Sequence, residues 1–319
     1  MELYNFENGK VELVDLNPFK LEKEIQEIVE KNTDVFFQLE FVRSEFTIGE
    51  FRIDTLCFDK ENNSFVIIEY KKGYSYSVID QGYSYLALML NNKSEFIIEY
   101  NEQLNRFLKR DDVDWSQSKI IFISPSFNVY QKNSVNFKNI PFELWEIKRF
   151  HNNTIILNKH ASNSNQTIDS LSTGERKTDI QTVSKEVHVV DEEQITSKTD
   201  KEIIQKWEEL KARLNELENV ELITRKAYIS LTVNNKIICY FNFRKNSIIV
   251  EIIRGNVNPD GTTSKKYFNL DDPKNISKEG SWEWKSGVKG TTYKIVFDGS
   301  SDIDYLMFLV NQKYKSLIK

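Results

Sequence analysis

Gly49-Glu50-Phe51-Arg52-Ile53-Asp54-Thr55-Leu56-Cys57-Phe58-Asp59, followed by Phe65-Val66-Ile67-Ile68-Glu69-Tyr70-Lys71-Lys72-Gly73, is the stretch that decides the fold. Both runs are rich in β-branched and aromatic residues, and the polar cluster 59–63 between them reads as a turn. Side chains alternate across a strand, so Glu69 and Lys71 share one face while Tyr70 points to the other. Asp54 stands fifteen residues before Glu69, and a hairpin closing at 59–63 brings the two side by side. Two clustered carboxylates repel each other and lose hydration, costs that a divalent cation offsets. An all-oxygen set of ligands suits Mg²⁺ or Mn²⁺. Lys71 on the same face suits orientation of an attacking water or charge stabilisation on a phosphate. The bland alternative is a set of polar residues on the solvated side of a meander. Ile67-Ile68 speak against it, because they make the strand central and an unpaired Glu69 there costly.

Outward from this hairpin, Asn17-Pro18 precedes apolar residues at helical spacing, Phe19, Leu21, Ile25, Ile28 and Val29, with Asn17 as cap and Pro18 in the first turn. Run 36–46 reads as a strand. Ile79, Tyr83, Leu86, Ala87 and Leu90 recur at three and four, the pattern of an amphipathic helix. Strands are expected at 95–99 and 119–124, a helix within 126–137, and a closing hairpin at 142–150 and 154–157. The order is α-β-β-β-α-β.

Asp followed at a distance by Glu-x-Lys, at the end of an apolar strand, resembles the active-site signature of the PD-(D/E)XK nuclease superfamily, shared by NucS-like nucleases and related restriction and repair enzymes. The resemblance covers about residues 15–160, and the proline usual before the first acid is replaced by Ile53. It implies a restriction-endonuclease-like α/β fold with a mixed sheet, and a Mg²⁺- or Mn²⁺-dependent deoxyribonuclease. The metal ligands implied are Asp54 and Glu69. A first-helix glutamate completes the set; Glu24 and Glu27 both fit, and Glu27 is preferred. Gln81, on the helix after the lysine strand, fits a recurrent glutamine of the family, with Tyr85 one turn on. Lys72, Tyr74 and Tyr85 are candidate DNA contacts. The implied setting is restriction, antiphage defence or DNA repair. Double-strand cutting favours two sites, hence a homodimer. A non-cleaving nucleic-acid-binding or interaction protein that keeps the fold is the alternative.

The 319 residues suit two domains. The formal net charge of −5 argues against a protein that merely coats nucleic acid. Cys57 and Cys239 sit in apolar runs and read as small buried hydrophobes, and the three histidines form no zinc pattern. No apolar run is long enough to span a bilayer and the first residues form no signal peptide, so a cytoplasmic protein without membrane contact is expected.

Residues 161–199 are polar and contain no aromatic residue, the composition of an interdomain linker. It separates a nuclease-like domain, 1–160, from a second domain, 200–319. There Ile203, Ile204, Trp207, Leu210, Leu214 and Leu217 mark a helix. Strands follow at 222–233, 236–243, 247–253 and 291–297, with a last helix from Ser301. This is an α+β domain with a mostly antiparallel sheet. It resembles an uncharacterised module at the C-terminus of some bacterial proteins with nuclease-like N-terminal domains. Arg244, Lys245, Arg254, Lys265, Lys266 and Lys289 lie among Tyr240, Phe241, Phe243, Trp282 and Trp284. That mixture suits nucleic-acid binding, or a sensor or regulatory module whose aromatics are core and whose lysines only solvate the surface.

Overall fold

The computed structural model describes residues 2–72, 78–135, 140–160, 177–258, 261–263, 267–283 and 288–318. They form two compact units, Met1–Asp59 with Asn63–Val189, and Val190–Lys319 with Lys60–Asn62.

In the first unit, β1 (Leu3–Glu7) and β2 (Lys10–Val14) make a separate hairpin. Then come α1 (Glu22–Glu30), α2 (Thr33–Phe37), β3 (Glu40–Ile48), β4 (Phe51–Asp59) and β5 (Ser64–Tyr70). After them lie α3 (Val78–Asn91), α4 (Lys93–Leu104), β6 (Lys119–Ser124), α5 (Val129–Ser134), β7 (Phe142–Arg149), β8 (Ile155–Lys159) and α6 (Lys177–Glu186). The six strands run in the order β3-β4-β5-β6-β7-β8. β5–β6 and β6–β7 are parallel and the other pairs antiparallel, so the sheet is mixed. Every residue of β5 is buried, as a central strand covered on both faces requires. Cys57, Val66, Ile68 and Tyr70 pack with Ile25 and Val29 of α1 on one face. Leu56, Phe65 and Ile67 pack with Leu86, Met89 and Phe96 of α3 and α4 on the other.

Three sequence expectations change here. α1 starts at Glu22 instead of Pro18, because Asn17 N–H donates to Arg149 O and Leu16 bridges Phe150, which holds 15–17 extended. The stretch 95–99 is helical, within α4: Phe96, Ile97 and Tyr100 turn one side of a helix into the core, where a strand would split them between faces. Part of the expected linker is α6. Ile180, Val183 and Val187 recur at helical spacing and pack in the core beside α3, a pattern that the polar average of 161–199 conceals.

The second unit contains α7 (Glu192–Thr196), α8 (Lys201–Leu214), β9 (Val220–Thr224), β10 (Ile229–Val233), β11 (Lys236–Phe243), β12 (Ile248–Val257), β13 (Lys278–Glu283), β14 (Lys289–Phe297) and α9 (Ile303–Leu317). Its sheet is wholly antiparallel, in the order β13-β14-β12-β11-β10-β9. Asn234 and Asn235 both take positive φ, 49° and 59°, as a tight hairpin turn demands. Trp207 and Leu210 of α8 and Leu309 and Val310 of α9 bury one sheet face. Asp302 caps α9, one residue later than the expected Ser301. No helix among the described residues is long and apolar enough to cross a membrane.

Candidate active site

β4 and β5 pair in register from Asp59↔Ser64 to Thr55↔Ile68. One step further brings Asp54 level with Glu69. Asp54 Oδ2 accepts a 3.0 Å hydrogen bond from Tyr70 N–H. Lys71, just past the strand, is fixed to β6 by its own N–H, which donates to Ile123 O at 2.9 Å. Its Nζ donates to Glu69 Oε1 at 2.8 Å, so the Glu-x-Lys pair does share a face.

α3 supplies the third side. Gln81 Nε2 donates to the same Glu69 Oε1 at 2.7 Å and lies 3.2 Å from the Tyr85 hydroxyl. That hydroxyl donates to Arg52 O at 3.0 Å. The close approach of α3 needs Gly82: a Cβ there would stand 2.7 Å from the Phe142 ring.

Burial pushes the Glu69 carboxyl up to about 7, and the neighbouring Asp54 adds to the rise; Lys71 and Gln81 pull the other way. Asp54 is raised too, by burial first, with the Tyr70 N–H and Lys71 opposing. The second oxygen of Glu69, Oε2, is buried and has no hydrogen-bond partner. Such an atom carries a desolvation cost of about 1–3 kcal/mol or more. The donors therefore fit a hard divalent cation between Asp54 and Glu69. Among the described residues no three His, Cys, Asp or Glu side chains are grouped to hold a metal by themselves. Two carboxylates still suit Mg²⁺, which commonly keeps waters and substrate phosphate oxygens as its remaining ligands.

The structure thus brings together Asp54, Glu69, Lys71, Gln81 and Tyr85. Glu27 is not among them. It lies on the exposed side of α1, about 100° around the helix from the buried Gln26. Glu24 is engaged elsewhere, pairing with Arg149 at 3.0 Å. The first-helix glutamate that faces this end of the sheet is Glu22. It accepts from Lys72 N–H at 2.6 Å, and its charge contributes to raising Asp54. Lys72 Nζ hydrogen-bonds Lys20 O. Tyr74 lies outside the described residues. Glu22, Gln26 and Glu30, spaced by four, form one stripe along the sheet: Gln26 reaches the Asp54 carbonyl and Glu30 the Thr55 hydroxyl. That spacing is the sequence signal that points to Glu22 and Gln26, once the phase of the helix is known.

Cys57 and Cys239 are buried free thiols, and burial pushes both up, away from thiolate chemistry. In the second unit Phe241 and Tyr240 are buried and Phe243 packs against the core. Arg254 lies between the rings of Tyr267 and Tyr293, and Lys289 pairs with Glu283 at 3.1 Å. Those aromatics serve packing, and these two cations have partners in their own unit. Lys265, Lys266 and Trp284 lie outside the described residues.

No family model matches the chain. A protein of Haemophilus influenzae (strain ATCC 51907 / DSM 11121 / KW20 / Rd), described as an uncharacterized protein, is 40% identical over 321 residues, covering 99% of this chain and 100% of its own length. The chain belongs to the same family as that protein. Among solved structures, it is similar to a chain of an EndoMS–dsDNA2 complex, at 16% identity and a TM-score of 0.22 over 41% of this chain and 48% of that one. It is also similar to a repair endonuclease from Pyrococcus abyssi, at 14% identity and a TM-score of 0.24 over 46% of this chain and 65% of that one. The chain spans less than two thirds of either structure, and the fold described above rests on its own strand order and register.

Proposed function

We propose that the first unit is a Mg²⁺- or Mn²⁺-dependent DNA endonuclease that hydrolyses phosphodiester bonds. The observation that carries this reading is the buried, unpartnered Oε2 of Glu69 beside Asp54, with Lys71 fixed on the other oxygen of the same carboxylate. A cation held by Asp54 and Glu69 supplies charge for a phosphate oxygen and lowers the pKa of a bound water. Glu69 stays oriented through the hydrogen bonds from Lys71 and Gln81. Lys71, one of the two donors on that carboxylate, stands where negative charge grows on the phosphate. Tyr85 and Arg52 brace Gln81 from behind. Glu22 completes the acidic rim that Glu24 and Glu27 do not reach. DNA as substrate, and restriction, antiphage defence or repair as setting, follow from the resemblance of the motif. Cutting both strands calls for two copies of the chain.

The test is a cleavage screen with Mg²⁺ over supercoiled, linear, single-stranded, branched and mismatched DNA, and RNA. The unsubstituted protein cuts a DNA substrate, EDTA stops it, and Glu69→Ala and Lys71→Ala fold but do not cut. Equal cutting by either variant sinks the reading.

A further inference from the structure

β3 and β4 pair from Glu40↔Phe58 to Ile48↔Phe51, yet the ladder passes from Ser44↔Thr55 to Phe46↔Ile53 without pairing Glu45 to Asp54. Glu45 has a φ of 54°. A non-glycine residue held there is strained, and the strain persists only where its surroundings impose it. The register is the same on both sides of Glu45, the shift in this pair lying between Phe41 and Arg43, so what falls opposite the proposed cation ligand Asp54 is a left-handed backbone residue.

Gln26 of α1 packs at this position. It is buried, at 4% exposure. Its Nε2 donates to Asp54 O at 3.0 Å, and lies 2.9 Å from Glu30 Oε1, 3.2 Å from Ser44 Oγ and 3.2 Å from Glu45 Oε1. Its Oε1 accepts from Lys23 Nζ at 3.2 Å. A side-chain amide has only two N–H donors, so four oxygens compete for two protons. Two of the four are carboxylate oxygens. An acidic side chain at position 26 would face them and the Asp54 carbonyl with no proton to offer.

We infer that Gln26 is a positioning residue for Asp54. It holds the Asp54 carbonyl opposite the left-handed backbone of Glu45. Asp54 is thereby turned so that its carboxylate accepts from Tyr70 N–H and stands beside Glu69. Gln26 touches neither cation nor substrate; it acts through the backbone of Asp54. The inference rests on the reading of Asp54 and Glu69 as cation ligands.

The experiment is calorimetric titration of the metal-free full-length chain with Mn²⁺, at matched near-ultraviolet circular dichroism. Gln26→Leu weakens Mn²⁺ binding roughly tenfold to a hundredfold, the range for lost outer-shell support, and Gln26→Glu weakens it at least as much. Gln26→Met, unbranched and of the same reach, serves if Gln26→Leu does not fold. Folded Gln26→Leu or Gln26→Met binding Mn²⁺ as tightly as the unsubstituted chain overturns the inference alone. No Mn²⁺ uptake by the unsubstituted chain brings down the reading of the site, and this inference with it.

Discussion

Gln81 reaches from the first turns of α3 to donate a 2.7 Å hydrogen bond to the Glu69 oxygen that also accepts from Lys71. One carboxylate oxygen is thus saturated by two donors while its twin is buried and unpartnered. Gln81→Ala should lower cleavage roughly tenfold to a hundredfold, as lost support of a metal ligand does. The Gln81 hydrogen bond opposes the rise of Glu69. Removing it should therefore move the acidic limb of the pH–rate profile to higher pH. Unchanged rate and profile would separate Gln81 from the site.

Metal-free stability should depend on pH through Glu69. Its carboxyl is pushed up to about 7 in the folded chain, against about 4.3 unfolded. The protonated form is therefore the one that suits the fold. The contribution is complete below about 4.3 and is lost as pH rises through about 7, a loss on the order of a few kcal/mol. Asp54, also raised, adds in the same direction. Denaturant melts in EDTA at several pH values should show stability falling from pH 5 to 8, with Glu69→Gln flattening much of that slope. Cation binding needs both carboxylates ionised, so Mn²⁺ affinity should climb over the same window and level off above it. A flat affinity from pH 5 to 8 would contradict the assignment of Glu69.

The β4–β5 hairpin was legible in the sequence because its logic is local: alternation, a polar turn, and an apolar run too long to be an edge. Gln81 was named by the resemblance to the family, and helical spacing puts Tyr85 one turn on from it. The first-helix glutamate was not. Its choice depends on which side of α1 lies against β4, and that is decided by the packing of Ile25, Gln26 and Val29 on the sheet. Glu24 and Glu27 were expected from the resemblance to the family; Glu22 emerges from the stripe it shares with Gln26 and Glu30 along the sheet. The strand expected at 95–99 failed for a related reason. Phe96-Ile97-Ile98 carries the β-branched signature of a strand, and only the core against which Phe96, Ile97 and Tyr100 pack decides for a helix.

Gly82 sets how closely α3 approaches the sheet. A methyl group there would meet the Phe142 ring at 2.7 Å, and overpacking of this kind costs about 1–3 kcal/mol. Gly82→Ala should lower the melting temperature and also weaken cleavage, since α3 backs away and carries Gln81 from Glu69. Gly82→Ala combined with Phe142→Leu should recover stability. Recovery of cleavage along with it would show that the spacing of α3 controls the Gln81–Glu69 contact, and a stable double variant without cleavage would count against that link.

α6 lies within a stretch whose composition reads as linker, yet Val183 and Val187 are 1% and 7% exposed in the core of the first unit. If the first unit needs α6, a chain cut after residue 160 should be less stable than one cut after residue 189. Val183→Ala removes part of a buried aliphatic side chain and should cost about 1–3 kcal/mol. Val183→Asp, which buries a charge without a partner, should cost more. Urea melts of chains 1–160 and 1–189, and of Val183→Ala in the longer one, measure both effects. Equal stability of the two truncated chains would return α6 to the status of a tether. A deficit in the shorter chain would mean that a cleavage assay run on 1–160 alone tests a weakened first unit, because α6 contacts α3, the helix that carries Gln81.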